Sequence, residues 1–230
     1  YYKPGSKMTH VEVGNIDNVL IKQLKDIVGP THVVTDKEEC DFFSTDIFYR
    51  ANRPAGLVIS PGSANEVAAA IQVAVNAGHS VIPRGGGMSY TAGYQPRDES
   101  SVIVDMRRLD SILEVNEEDM YVTVQCGVTW KTLYDTLKKK GLRTPYFGPF
   151  SGMHATIGGA LSQNSIFFGS SIHGTAADSV LSLEIALPDG TLTRTGSLST
   201  LHEPSPFFRT YGPDLTGLFH LANLLRFLTI

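Results

Sequence analysis

Apolar positions along the chain follow two rhythms. Helical spacing appears in Ile16–Val28, with Asp17 as N-cap and Gly29-Pro30 as the stop. It returns in Val67, Ala70, Ile71, Ala74 and Val75, behind a Ser63/Glu66 capping box and ahead of Gly78. A third helix is predicted from its cap at Thr129 to Lys140, with Trp130, Leu133, Tyr134 and Leu137 on its apolar face. Thr156–Leu161 reads as a short helix start capped by Thr156. Short apolar runs bounded by turn residues predict strands at His32–Val34, Leu57–Ile59, Ser80–Ile82 and Ser101–Asp105. Ile112–Val115 and Tyr121–Gln125 flank Asn116–Asp119 as a hairpin, and Val180–Leu187 pairs with Thr191–Thr195 across Pro188-Asp189-Gly190. Asp36–Arg50 is mixed, and Asp46–Arg50 with Asn52-Arg53-Pro54 reads as an extended lead-in.

Strand, helix and strand from Leu57 to Ile82 make a βαβ unit, and the later strands read as antiparallel hairpins. The expected class is α+β: a small βαβ lobe (about 51–105), then a larger lobe with mixed or antiparallel sheet and flanking helices (106–219). Residues 1–50 form a lead-in helix and extension, and 220–230 an atypical tail.

Composition changes this picture little but narrows the partners. The net charge of −4 and the absence of a basic block longer than Lys138–Lys140 argue against nucleic acid, which needs a basic face. A nucleotide cofactor stays open, because backbone amides can hold its phosphates. Cys40 and Cys126 have no metal-ligand spacing and read as buried thiols, and no metal site is expected. No apolar run is long enough to span a bilayer. The expected compartment is the cytoplasm, with peripheral membrane attachment left open.

The chemistry concentrates in two glycine-rich stretches. Ser80–Tyr94 (SVIPRGGGMSYTAGY) places three consecutive glycines after a strand, at the carboxyl end where α/β sheets bind ligands. Such a turn frees successive N–H groups that suit an anion, with Arg84, Ser89 and Thr91 as further donors. An ordinary surface turn is the alternative. The dinucleotide fingerprint fails, since Tyr90 stands where its third glycine belongs and no helix starts there. No Gly-Lys-Ser or Gly-Lys-Thr occurs, so the P-loop fails too. The second stretch, Gly152–Gly174, reads GMHATIGGALSQNSIFFGSSIHG.

In order along the chain stand PRGGGMSYTAGY, SVIVDM, GVTWKTLYDTL, ATIGGALSQNS and HGTAADSVLSLEIALPDG. This series resembles the FAD-binding domain of the vanillyl-alcohol-oxidase/para-cresol-methylhydroxylase (PCMH-type) flavoproteins, from roughly Ala51 to Gly196 and more weakly to Asp214. Within that family it looks most like the FAD-linked oxidases of the glycolate-oxidase and D-lactate-dehydrogenase type. The resemblance implies that Arg84, Gly85, Gly86, Gly87, Met88, Ser89 and Gly93 lie against the FAD pyrophosphate. It implies that Pro149, Ser151, Thr156, Gly158, Gly159, Ser162 and Asn164 line the flavin and ribityl region. Gly169, Ser170, His173, Gly174, Ala177 and Asp178 then match the stretch that closes over the cofactor. Some relatives carry a flavin-linked histidine where Met88 stands, so noncovalent FAD is expected here. His154 and His173 are candidate proton acceptors, or structural histidines.

The resemblance further implies an FAD-dependent oxidoreductase acting on CH–OH donors. A 2-hydroxy acid or similar alcohol is the expected substrate, and the electron acceptor is unknown. The chain departs from the family after Tyr211–Phe219 (YGPDLTGLF): His220–Ile230 replaces a glycine-rich continuation, and the substrate cap domain does not follow. The expected readings are a fragment, a truncated or frame-shifted product, or a free-standing FAD module. Open beside the oxidoreductase are a catalytically silent FAD-binding or electron-transfer subunit completed by another chain or in a homodimer, and a flavin subunit of a nucleotide-sugar reductase or molybdenum hydroxylase.

Overall fold

The computed structural model describes residues 16–199, 209–210 and 212–219. The expectations for the 220–230 tail and for residues 1–15 lie outside the described residues.

Helix α1 (Asn18–Val28) starts where Asp17 accepts a hydrogen bond from Leu20 N at 2.8 Å, and it buries Leu20, Leu24 and Val28. Strand β1 (Val33–Val34) follows. Helix α2 (Lys37–Phe43) stands in the Asp36–Arg50 stretch, which was expected to be mixed. Asp36 caps it by accepting from Glu38 N and Glu39 N, and two glutamates occupy its first turn. Both features favour a helix N-terminus, but seven residues are too few to show an apolar rhythm.

Strand β2 (Leu57–Ile59) leads into α3 (Ala64–Asn76), where Ser63 accepts from Glu66 N at 3.2 Å. Glu66 accepts from Gly62 N at 2.7 Å. Strands β3 (Val81–Arg84) and β4 (Val102–Asp105) complete a four-stranded sheet of order β1-β2-β4-β3. β4 is parallel to both β2 and β3, while β1 is antiparallel to β2. The βαβ unit is therefore present with β4 inserted between its strands, and β3 is left as an edge, where Pro83 is tolerated.

Period-two alternation divides the sheet's faces. Leu57, Ile59, Val102 and Val104 join α1 and α3 in the main core. Val58 and Ile103 face a smaller cluster with Cys40 of α2 and Ala55. Full burial of each large aliphatic contributes roughly 1.5–3 kcal/mol.

Strands β5 (Ile112–Asn116) and β6 (Tyr121–Val124) form the expected hairpin, and α4 (Trp130–Lys139) packs Trp130, Leu133 and Leu137 into the same main core. Two short helices, α5 (Ile157–Ser162) and α6 (Ser170–His173), precede a second antiparallel pair, β7 (Glu184–Ala186) with β8 (Leu192–Arg194). β7 is shorter than the Val180–Leu187 run predicted, because Leu183 N donates to the Thr195 side chain at 3.0 Å instead of to a ladder partner. Helix α7 (Leu215–Leu218) is tied to the β8 end by a Thr216–Thr195 hydroxyl contact of 2.8 Å. The α+β class holds, with two separate two-stranded ladders among the described residues in place of one larger second sheet.

Candidate functional site

The two glycine-rich stretches, distant in sequence, press against each other. A Cβ on Gly86 would lie 1.7 Å from the His154 carbonyl oxygen, and one on Gly85 would lie 2.3 Å from Thr156 Oγ1. Both glycines are required by space. Gly87 adds a positive φ of 72°, and a Cβ there would meet Arg84 Nη2 at 2.2 Å. Thr156 is held in turn as the cap of α5, accepting from Gly159 N at 3.2 Å.

Above this contact lies a groove of about 700 Å³. Of the residues expected at a site, Gly85, Gly86, Gly87, Met88, Ser89, Pro149, Ser151, Thr156, Gly159 and Asn164 line it. The N–H groups of Gly86, Gly87 and Met88 make no hydrogen bond to other described residues. The loop is pinned from its flanks. Ser89 accepts from Thr91 N at 3.2 Å, and its carbonyl accepts from Ile47 N at 3.0 Å. The Tyr94 hydroxyl lies 2.9 Å from the Gly87 carbonyl and 3.0 Å from that of Thr45, one of which its single proton serves. Burial raises the Tyr94 pKa, which keeps that proton in place.

The other expected residues stand off the groove wall. Arg84 lies beneath the loop, 5 % exposed, on the α2 face of the sheet. Gly93 lies off the wall, and a Cβ there would make only ordinary contacts, with Thr91 Oγ1 at 3.7 Å and Ser89 Oγ at 3.8 Å. Gly158 serves packing, since its Cβ would meet Cys126 Cβ at 2.7 Å while its N–H donates to the Cys126 carbonyl. Ser162 is half-buried outside the wall. Gly169 and Gly174 take positive φ at the ends of α6, and Ser170 accepts from Phe167 N at 2.9 Å. Asp178 accepts from Thr175 N and Thr175 Oγ1. Ala177 N donates to Asn164 Oδ1 at 3.2 Å, so this segment supports the groove through Asn164, whose own φ is +46°. His173 is exposed away from the groove, and the exposed His154 contributes its backbone carbonyl to the contact with Gly86.

The sequence reading did not include the aromatic part of the wall. Phe167 lines the groove and packs on Trp130 and Tyr146 at centroid distances of 4.9 and 5.4 Å. Phe150 and Phe168 meet edge to face at 5.4 Å and stay largely exposed at the rim. IFF at 166–168 and PYFGPF at 145–150 were the available signal: aromatics clustered in loops between short elements.

A second cavity of about 620 Å³ lies beside the β5–β6 hairpin and α4, with Leu113, Val115, Leu133 and Leu137 in its wall. No glycine-rich segment borders it. Among the described residues no cluster of His, Cys, Asp or Glu could hold a metal ion, and no helix is long and apolar enough to cross a membrane. Cys40 and Cys126 are buried thiols not joined in a disulfide.

Comparison with known proteins agrees with this arrangement. A family model described as an FAD binding domain matches residues 55–196. The uncharacterized FAD-linked oxidoreductase YgcU of Escherichia coli K12 is 32 % identical over 207 residues, 85 % of this chain and 40 % of its own length. The 1'-carboxy-chondrochloren decarboxylase of Chondromyces crocatus is 28 % identical, over 87 % of this chain and 37 % of its own. D-lactate dehydrogenase [cytochrome] 1, mitochondrial, of Saccharomyces cerevisiae is 27 % identical, over 89 % and 34 %. The chain thus spans 40 % or less of the length of these curated relatives. Among solved structures, p-cresol methylhydroxylase with substrate bound superposes with a TM-score of 0.78 at 16 % identity, covering 94 % of this chain and 44 % of that one. With its two glycine segments closed on one groove, the chain belongs to the FAD binding domain family and has the fold of the PCMH-type flavoproteins.

Proposed function

We propose that residues 51–219 form the FAD-holding part of an FAD-dependent oxidoreductase that oxidises a 2-hydroxy acid or similar alcohol. The observation that carries this reading is the cradle: Gly85 and Gly86 have no room for a Cβ, Gly87 takes a positive φ, and the N–H groups of Gly86, Gly87 and Met88 are left without a partner among the described residues. Consecutive free amides in a glycine turn fit a diphosphate. The residues present therefore fit FAD, which when bound supplies a two-electron acceptor for CH–OH oxidation.

The polar groups of the groove wall are amides, hydroxyls and the carboxamides of Gln163 and Asn164. They suit holding and orienting a nucleotide and a flavin ring edge. Phe167, fixed by Trp130 and Tyr146, gives one wall a rigid apolar surface that excludes water. We assign this chain binding and orientation, and we assign the proton acceptor for the substrate hydroxyl to a segment outside it. The identity of D-lactate dehydrogenase among the relatives supports a hydroxy acid as substrate. Met88 supports noncovalent attachment, since a thioether cannot form a histidyl link.

Titration of the 230-residue chain with FAD tests the reading. Binding with a flavin visible spectrum is expected, and acid precipitation should leave the flavin in the supernatant. A chain that rejects FAD would refute the function, and flavin retained on the acid pellet would refute noncovalent attachment. For the substrate, anaerobic bleaching of the flavin by D-lactate, glycolate or D-2-hydroxyglutarate in the full-length protein supports the hydroxy-acid class. Reduction by dithionite with no bleaching by any of them favours the electron-transfer subunit.

A further inference from the structure

We infer that the second cavity, beside the β5–β6 hairpin and α4, is a binding site for a neutral apolar molecule that carries a carbonyl-type oxygen, separate from the groove. The inference does not rest on the FAD reading.

The cavity's volume of about 620 Å³ lies within the roughly 300–1,000 Å³ of small-molecule pockets and far above the water-sized voids of a packed interior. The core fixes much of its wall. Leu133 and Leu137 of α4, with Ile157 and Leu161 of α5, are buried in the main core and border it. Leu113 and Met120 on the hairpin stay 53 % and 68 % exposed, which leaves its mouth apolar. An aromatic partition divides it from the groove. Trp130 and Tyr146 line the cavity, while Phe167, on which both pack, lines the groove. Helix α5 divides the same way, giving Ile157 and Leu161 to the cavity and Gly159 to the groove.

The carboxylates of the wall are engaged. Glu184 accepts from Arg194 Nε at 2.7 Å, and Glu114 accepts from the Tyr121 hydroxyl at 3.0 Å. What is left unmet is a set of donors. Trp130 Nε1 and Ser182 Oγ, in two wall residues that are 6 % and 2 % exposed, have no hydrogen-bond partner among the described residues. The backbone N–H groups of Leu181 and Ser182, also in the wall, make no hydrogen bond to other described residues. An indole N–H can only donate, and a hydroxyl can donate as well. A buried donor without an acceptor is costly, so this wall calls for an acceptor. An anionic acceptor fits poorly, because the wall already holds Glu114 and Glu184 and an ionised group loses its hydration in an apolar chamber. A carbonyl oxygen on an apolar body meets both the donors and the aliphatic surface.

The test uses the 230-residue chain and two probes of nearly equal shape: benzophenone, which has the carbonyl, and diphenylmethane, which lacks it. Calorimetry should show benzophenone binding one-to-one at about 100 µM or tighter, the scale of a molecule of its size. Diphenylmethane should bind about tenfold more weakly, the effect of leaving one buried donor unpaired. Trp130→Phe and Ser182→Ala each remove a donor, and the preference for benzophenone should fall to within about twofold in at least one of them. Irradiation of the benzophenone complex should label peptides that carry Leu113, Leu133 or Leu137. Equal affinity for the two probes, a preference kept in both variants, or labelling confined to Phe150 and Phe168 at the groove would each overturn the inference. If Trp130→Phe fails to fold, the wild-type pair of probes and the labelled peptides decide. Benzophenone binding that appears only after residues 220–230 are removed would assign the cavity to that segment, and binding that rises as a dimer dissociates would assign it to a second copy; either overturns the inference. A chain that binds no FAD would refute the proposed function and leave this test intact.

Discussion

Substituting Gly86 by alanine tests the meeting of the two glycine segments directly. The added Cβ would sit 1.7 Å from the His154 carbonyl oxygen, about 1.3 Å inside the 3.0 Å that real Cβ atoms respect. The neighbour is backbone on both counts, with the His154 carbonyl carbon at 2.6 Å and Ala155 N at 3.3 Å, so no side-chain rotation relieves the clash. One wall of the groove must move away from the other. Overpacking of this kind costs about 1–3 kcal/mol. If the separated walls lose that much contact with the cofactor, FAD binds about tenfold to a hundredfold more weakly. The assay is flavin fluorescence titration, with thermal unfolding of the apo-protein to separate binding from folding. Gly93→Ala in the same stretch is the internal control, because its Cβ would meet nothing closer than Thr91 Oγ1 at 3.7 Å. It should bind FAD within about twofold of wild type. A Gly86→Ala chain with wild-type affinity would refute the convergence of the two segments, and equal damage from Gly93→Ala would refute the assignment of the effect to steric contact.

Two further outcomes follow from the same geometry. Thr156→Val removes the acceptor for Gly159 N, a cap contribution of about 1 kcal/mol, and should lower the Tm by about 2–4 °C; an unchanged Tm would show that α5 does not depend on this cap. Burial, with Asp36 and Glu39 nearby, pushes the Cys40 thiol from 9.0 up to about 11. Below the lower value both folded and unfolded chains keep the proton; between the two values only the unfolded chain loses it, so stability should decline from about pH 9 to 11. Cys40→Ala should flatten that limb of a pH–Tm curve, and a limb that persists would assign it to other groups.

How much of this was legible in the sequence depends on the range of the interaction. The strands β2 and β4, the helices α1, α3 and α4 and the first hairpin follow local rhythm and capping, and the structure puts them where Ser63, Thr129 and the apolar spacing point. Helix α2 carried only a cap and two acidic residues, with no room for a periodic stripe, and β7 lost residues to a side-chain hydrogen bond that no periodicity encodes. The glycine loop was legible as a tight turn because three glycines in a row disfavour helix and strand alike. What Gly86 packs against was not, since His154 lies far along the chain and contributes only a carbonyl, which any residue possesses.

Arg84 shows where a local signal needed its structural context. Read as part of the loop it is a donor beside the phosphates; as the last residue of β3 it shares parity with Ile82 and points to the other face of the sheet. Counted from Ser80–Ile82 alone, the strand ends too early for that parity to be applied. Extending β3 through Pro83 requires an edge position, which only the insertion of β4 between β2 and β3 provides. The topology therefore places the guanidinium on the face of the sheet away from the groove, and the aromatic cage of Phe42, Phe43 and Tyr94 depends on α2, the helix least visible in the sequence.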